Sequence, residues 1–415
     1  MNLFPPAPAR PDAVVEGDTY RFTVLTSRLI RMEYSPTGTF ADQASFMAIN
    51  RDFPVPDFRV VRSGKGLEIL TEAFHLRYSG GPFSPSSLSI SLLGHTGTGW
   101  NTVWHYGDAQ PTTQGDFLAN LGGTARTLDE ADGAVTIEPG LISPRGYAVI
   151  DDSATPLVQD WPTAREKGAC DLYYFGYGHA YQEALDAFFA LSGKTPLIPR
   201  WALGNWWSRY HRYTDTEYLA LMDRFAAEKL PFSVAVLDMD WHLTDLDPKY
   251  GNGWTGYTFN KELFPDPAAF MRALHGRNLR VSLNEHPADG VRAHEDAYPA
   301  FAAALGVEDG APIPFDGASK DYLQAYLDLL LHPLEEQGVD FWWMDWQQGK
   351  HTSIAGLDPL WMLNHLTFTD NARLRADGKL RRPLAFSRYA GPGSHRYPVG
   401  FSGDTVVSWE DRKSV

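Results

Sequence analysis

The chain has 415 residues, 43% hydrophobic and 21% charged, the balance of a globular protein long enough for two or three domains. Its formal charge of −15 argues against nucleic acid and anionic membranes as partners. Cys170 is the only cysteine, so no disulfide can form within the chain, and no Cys/His cluster has the spacing of a zinc site.

The N-terminus has prolines at 5, 6, 8 and 11 and lacks the apolar stretch of a signal peptide. No run approaches about 18 consecutive apolar residues. A cytoplasmic location is therefore expected. Residues 1 to about 190 read as β structure. Tyr20–Leu25, Leu29–Tyr34, Arg59–Val61, Leu67–Leu70, Phe74–Tyr78, Leu88–Leu92, Val135–Ile137 and Tyr147–Asp151 are short and alternating or β-branched. Many short strands separated by turn residues, such as Ser79-Gly80-Gly81-Pro82 and Gly122-Gly123-Thr124, predict an antiparallel sandwich. Asp151-Asp152-Ser153 is either a plain turn or a loop that reaches a neighbouring active site. Tyr181–Leu191 has the pattern of a short amphipathic helix. Two prolines in Gly193–Arg200 then break regular structure, which places a domain boundary at 195/196.

From Trp201 the pattern alternates strand and helix. Predicted strands are Ala202–Trp207, Phe232–Leu237, Leu279–Asn284, Val339–Met344 and Leu384–Ser387, with Val399–Ser402 read as a sixth. Thr214-Asp215-Thr216-Glu217 is a capping box that opens a helix to about Lys229. Asp266-Pro267 opens another helix. Ser319–Gln337 is a third, bent by Pro333, and Pro359–Leu374 a fourth. Repeated βα units imply a parallel sheet with right-handed crossovers. Asp238, Asp240, Asn284-Glu285-His286, Asp345, Arg388 and Asp404 all fall at strand ends, the rim where a (β/α)₈ barrel carries its chemistry. Six strands fall short of eight, so the barrel is expected to be incomplete.

Phe341-Trp342-Trp343-Met344-Asp345-Trp346 is the most informative stretch, a buried strand that ends on a carboxylate among tryptophans. A buried carboxylate needs partners. Asp345 is otherwise a cap for the next helix or turn. Aromatic residues make up 13% of the chain, with 13 Trp, and suit either sugar stacking or core filling. Asp345 and Asp404 at nearby strand ends match the paired carboxylates of a retaining glycosidase, which stand about 5–5.5 Å apart. Arg388 is placed to hold sugar hydroxyls or to favour the charged form of a neighbouring carboxylate. Asp240 is suited to bidentate bonds with sugar hydroxyls.

Pro199-Arg200-Trp201-Ala202-Leu203-Gly204-Asn205-Trp206-Trp207-Ser208-Arg209-Tyr210, Leu237-Asp238-Met239-Asp240-Trp241, Trp343-Met344-Asp345, Ser387-Arg388 and Gly403-Asp404-Thr405, in that order, resemble glycoside hydrolase family 31. This is a family of retaining α-glucosidases, α-xylosidases and α-galactosidase-type enzymes. The resemblance implies a galactose-mutarotase-like antiparallel β-sandwich that lends a loop to the site, followed by a (β/α)₈ barrel. It implies that Asp345 is the nucleophile and Asp404 the general acid/base. Arg388 and Asp240 would bind the sugar in the −1 subsite. Trp343 would form an aromatic wall of that pocket, and Trp206 lies in the matching first strand. The implied activity is hydrolysis of terminal α-linked sugars by an O-glycosyl hydrolase, with a transglycosidase or an inactive remnant as alternatives. The implied partner is a carbohydrate, with neither metal nor organic cofactor, and the oligomeric state is left open.

Two departures from the family pattern stand out. The usual Trp-x-Asp-Met-Asn-Glu motif is replaced after Asp345 by Trp346-Gln347-Gln348, which points to a variant subgroup with an α-galactoside, α-xyloside or other α-linked substrate. After Ser408-Trp409-Glu410 the chain ends as Asp411-Arg412-Lys413-Ser414-Val415, where the family continues with the last barrel strands, a sugar-binding histidine and C-terminal β domains. The expectation is a chain truncated after about the sixth strand, as by a frameshift or premature stop.

Overall fold

A computed structural model describes residues 3–94, 102–109, 113–114, 117–118, 122–375 and 378–406. The N-terminal part holds two five-stranded antiparallel sheets. One runs, in spatial order, Val14–Glu16, Tyr20–Thr26, Leu29–Tyr34, Cys170–Phe175 and Ala148–Asp151. The other is a meander of Arg59–Ser63, Gly66–Leu70, Phe74–Tyr78, Leu88–Leu92 and Val103–His105. Their apolar faces share one core, with Phe22, Ile30, Met32, Leu172 and Tyr174 against Ile69, Phe74, Leu76, Ile90 and Trp104.

Cys170–Phe175 escapes the sequence pattern although it sits inside the first sheet. Leu172 and Tyr174 face the second sheet, while Tyr173 and Phe175 face the helix Tyr181–Ser192. A strand covered on both faces shows no polar alternation. Val135–Ile137 was expected as a strand but is irregular. Its neighbour Glu138 instead exchanges backbone bonds with Gly123 and Thr124. The irregular segment is exposed at Val135 and Ile137, so no buried face holds it in a sheet.

The outer face of the first sheet carries a buried ion network. Arg31 is 1% exposed and donates to both oxygens of Asp171 at 2.8 and 2.7 Å. Arg165 joins Asp171 and Asp152, each at 2.9 Å, and Arg21 joins Glu33 at 2.6 Å. Burial alone would raise the Asp171 carboxyl, but Arg31 and Arg165 hold it well below the usual range. Asp151-Asp152-Ser153 belongs to this network and to a local turn. Asp152 pairs with Arg165, and Asp151 accepts from the Ser153 amide.

The second part is a five-stranded parallel sheet in chain order: Asn205–Trp207, Phe232–Leu237, Arg280–Glu285, Phe341–Met344 and Phe386–Ser387. The sheet curls so far that Trp206 of the first strand lies 5.1 Å, ring to ring, from Phe386 of the fifth. The expected sixth strand reduces to a parallel bridge between Ser387 and Gly400. The expected strand at 202–207 starts late because Arg200–Leu203 forms a 3₁₀ turn. Thr214 closes the expected capping box with Glu217 at the start of the helix Asp215–Ala227.

The expected bent helix at 319–337 consists of Lys320–Ala325, a π-helical turn at Tyr326–Leu331 and His332–Gln337. Pro333 has no N–H for the carbonyl of Leu329, and the widened turn accommodates that gap. The helix Pro359–Asn371 is buried around most of its circumference. It lies between the sheet and the N-terminal part, where Trp361 stacks on Phe46 at 5.1 Å and His365 packs on Phe4 at 4.8 Å. Arg396 donates to the carbonyls of Ser192 and Phe46 across the same seam.

Removing one partner from a buried ion network leaves the rest uncompensated. Asp171→Ala is expected to lower unfolding free energy by about 3–5 kcal/mol in urea titrations. A loss below about 1 kcal/mol would mean that the network does not hold the first sheet.

Candidate active site

Strand register decides which side chains reach the rim. Val236, Ser282 and Phe341 lie side by side, as do Asn284, Trp343 and Phe386. Val234, Val236, Phe341, Trp343 and Leu384 pack together on the inside of the curl with Trp206 and Phe386. Ala235, Leu237, Val281, Leu283, Trp342 and Met344 face the helices. Side chains alternate along a strand. Two residues beyond Trp343, Asp345 therefore returns to the inner side, and so does Arg388 two beyond Phe386.

Asp345 is 3% exposed. Its amide donates to the Glu285 carbonyl at 2.9 Å. Arg388 Nε donates to its Oδ1 at 2.8 Å, and His286 Nε2 lies 3.3 Å from Oδ2. Arg388 is itself fully buried, so its charge needs more than one partner. The second comes from the N-terminal part: Arg388 Nη1 donates to Asp129 Oδ2 at 2.9 Å and Oδ1 at 3.0 Å.

The loop carrying Asp129 also pins the segment carrying Asp404. Leu128 N donates to Ser402 O, Glu130 N to Asp404 O, and Val406 N to Ala131 O, at 2.7–2.9 Å. Asp404 N donates to Asp129 Oδ1 at 2.8 Å. Gly403 between them has φ +99°, and a Cβ there would lie 2.2 Å from Asp129 Oδ1 and 2.4 Å from Arg388 Nη1. Only glycine suits both the backbone and the close approach. Arg126 anchors the same loop on Asp358 at 2.9 and 3.0 Å and on the Gln348 carbonyl at 3.2 Å. Gln347 Nε2 reaches Asp404 Oδ2 at 3.5 Å.

The carboxylates differ in their surroundings. Partial burial raises the Asp404 carboxyl above its ordinary value, and the negative charges of Asp345 and Asp129 add to this against the pull of Arg388. Burial likewise raises Asp238, with Asp345 and Asp404 adding to it and His286 opposing. On the helix side of the third strand, burial pushes Glu285 up to about 8, with Asp345 adding. The hydroxyls of Tyr257 and Tyr326 face Glu285 and temper that rise.

The structure brings Asp345, Asp404 and Arg388 together. Asp240 turns elsewhere and accepts from the Thr244 hydroxyl at 3.0 Å. Asp238, the first acid of the same motif, is the one in the field of Asp345 and Asp404. Trp343 and Trp206 form the aromatic floor of the curl. Trp343 is 5.0 Å from Phe401 and 5.5 Å from Phe386, and Trp206 is 5.2 Å from Phe341. Asp129 has no strand-end signal, and its loop has no secondary structure to betray it. Its link to the site runs through Arg388. Among the described residues no group of three or more His, Cys, Asp or Glu is placed to hold a metal ion, and no helix is long and apolar enough to cross a membrane. A cavity of about 940 Å³ lies at the opposite end of the strands beside Arg280 and Asp340, away from this group. Trp409 and the divergent tail from Asp411 lie outside the described residues.

The model of the family 31 glycosyl hydrolase TIM-barrel domain matches residues 195–415, just over half of the chain. The chain belongs to glycoside hydrolase family 31. It is 25% identical over 243 residues to an α-xylosidase of Saccharolobus solfataricus, covering 55% of this chain and 30% of that protein. It is 28% identical over 197 residues to α-glucosidase 2 of Bacillus thermoamyloliquefaciens, covering 46% and 22%. The chain thus spans under a third of the length of these two relatives. In fold it is similar to the family 31 dextranase of Flavobacterium johnsoniae complexed with glucose. The TM-score there is 0.66 at 15% identity, over 98% of this chain and 57% of that one. A xylosidase from Aspergillus niger gives 0.63 at 15% identity, over 99% and 68%.

Glu285 supplies a test of the site's electrostatics that needs no substrate. Its folded-state value lies above the ordinary 4.5, so the folded protein holds the proton more tightly. The native protein is therefore expected to lose stability as pH rises from about 4.5 to about 8, and Glu285→Gln to lose less. The gap in melting temperature should widen across that window. Parallel curves would show that Glu285 is ionised in the fold.

Proposed function

We propose that this chain carries the active site of a retaining α-glycosidase that cleaves terminal α-linked sugars. One observation carries the reading. A buried carboxylate clamped by arginine shares the strand-end rim with a second, exposed carboxylate whose titration is raised. In this reading an Asp345 oxygen attacks the anomeric carbon while the Asp404 carboxyl gives its proton to the departing glycosidic oxygen. The C–O bond to the leaving group breaks as the C–O bond to Asp345 forms. Asp404, now ionised, then takes a proton from water, which attacks the same carbon and releases Asp345. Two displacements at one carbon retain its configuration.

Arg388 holds the plane of the nucleophile, and Asp238, in place of Asp240, offers acceptors for sugar hydroxyls. The two antiparallel sheets serve as a galactose-mutarotase-like sandwich over residues 1–195, and residues 196–415 as the first strands of a (β/α)₈ barrel. The relatives' names make aryl α-xylosides and aryl α-glucosides the first substrates to test.

Asp345→Ala is expected to lower kcat at least about 10⁴-fold on such substrates. Asp404→Ala should lower kcat/KM on glycosides with poor leaving groups by on the order of 10²–10⁴-fold while sparing kcat/KM on activated aryl glycosides, whose first step needs no acid. The first product, read by proton NMR, should be the α-anomer. A first-formed β-anomer would overturn the mechanism, as would turnover by Asp345→Ala. The pH profile of kcat/KM should be a bell whose alkaline limb lies above the range of a free carboxylate, because Asp404 must be protonated.

A further inference from the structure

We propose that His286 is a positioning residue for Asp345, fixing the oxygen that Arg388 leaves free. The proposal rests on reading Asp345 as the nucleophile. A carboxylate turns easily about its terminal bond, because such torsions are broad. Arg388 Nε at 2.8 Å from Oδ1 is one fixed point. His286 Nε2 at 3.3 Å from Oδ2 is a second on the opposite oxygen, and two points define the plane. Nucleophilic attack depends on that plane, since displacement by a fraction of the bonding distance removes much of the gain from orientation.

His286 is itself held in place. Its side chain is 5% exposed. Its ring lies 4.9 Å from that of Trp254, and its carbonyl accepts from the Thr255 hydroxyl at 2.5 Å. The same hydroxyl oxygen accepts from the Asp289 amide at 3.1 Å, which closes the turn after His286 onto the 255 loop. Pro287 follows directly and restricts the backbone of His286. The charged groups acting on or through this ring are Asp345, Asp238 and Asp404, together with the imidazole of His242. Asp345 is the one in contact. A packing role alone would need the ring against Trp254 and no donor toward Oδ2.

The full chain bearing His286→Phe keeps a ring on Trp254 and loses the donor, whereas His286→Gln restores an amide N–H of similar reach. His286→Phe is expected to lower kcat about 30-fold or more with KM within about threefold, and His286→Gln to recover at least about tenfold of that loss. A His286→Phe enzyme within threefold of the native kcat would overturn the proposal, and so would a His286→Gln enzyme no better than it. Ring ¹⁵N NMR tests the contact without turnover. At a fixed pH, the imidazole ¹⁵N resonance deleted by His286→Gln should shift in Asp345→Asn, because the group opposite Nε2 has changed. An unshifted resonance would show no contact and sink the proposal even if the enzyme is active. A shifted resonance in a chain that cleaves no α-glycoside would instead uphold the pairing and defeat the glycosidase reading.

Discussion

The site depends on the compensation of one buried charge. Asp345 sits almost out of water, where an unpaired carboxylate would be expelled or neutralised. Arg388 compensates it, yet Arg388 is buried as well and reaches for a second carboxylate. The second balancing charge, Asp129, comes from the N-terminal part of the chain. Charge neutrality at the rim thus requires that two structural units meet. The same aspartate accepts from the amide of Asp404, so the ion chain also fixes where the second carboxylate stands.

Packing along the seam makes that meeting rigid. Phe46 on Trp361, Phe4 on His365 and the Arg396 bonds to Ser192 and Phe46 join the units through groups with defined geometry. Arg126 on Asp358 fastens the loop of Asp129 to the helix that begins after the fourth strand. Beneath the rim, Trp206, Trp343, Phe386 and Phe401 fill the inside of the curl with aromatic rings. This apolar floor lowers the local dielectric, which strengthens each ion pair above it and makes an unpaired group more costly.

Residues with strong local signals were legible in the sequence. The capping box at Thr214, the helix cap at Asp266 and the strand ending at Asp345 all depend on side chains a few positions apart, and all three stand in the structure. Less legible were features that depend on what lies across the fold. Cys170–Phe175 lost its alternation by being covered on both sides. Pro333 marked a bend, but the letters did not show that the turn at Tyr326–Leu331 widens into a π-helix to absorb its missing N–H. Asp238 and Asp240 are two residues apart and indistinguishable as letters. The turn Met239–Trp241 separates them, leaving one in the field of Asp345 and Asp404 and the other on Thr244.

The sequence by itself determined the alternation of strands and helices after Trp201, the parallel sheet and the placing of Asp345 and Arg388 just beyond two of its strands, because periodicity and capping are local. It also carried the family membership, because the motifs are contiguous runs. Only the tertiary structure decided that Asp129 completes the ion chain, that His286 approaches Asp345 and that Asp238 lies in its field. These are contacts between residues tens to hundreds of positions apart, and no local pattern encodes a distance in space.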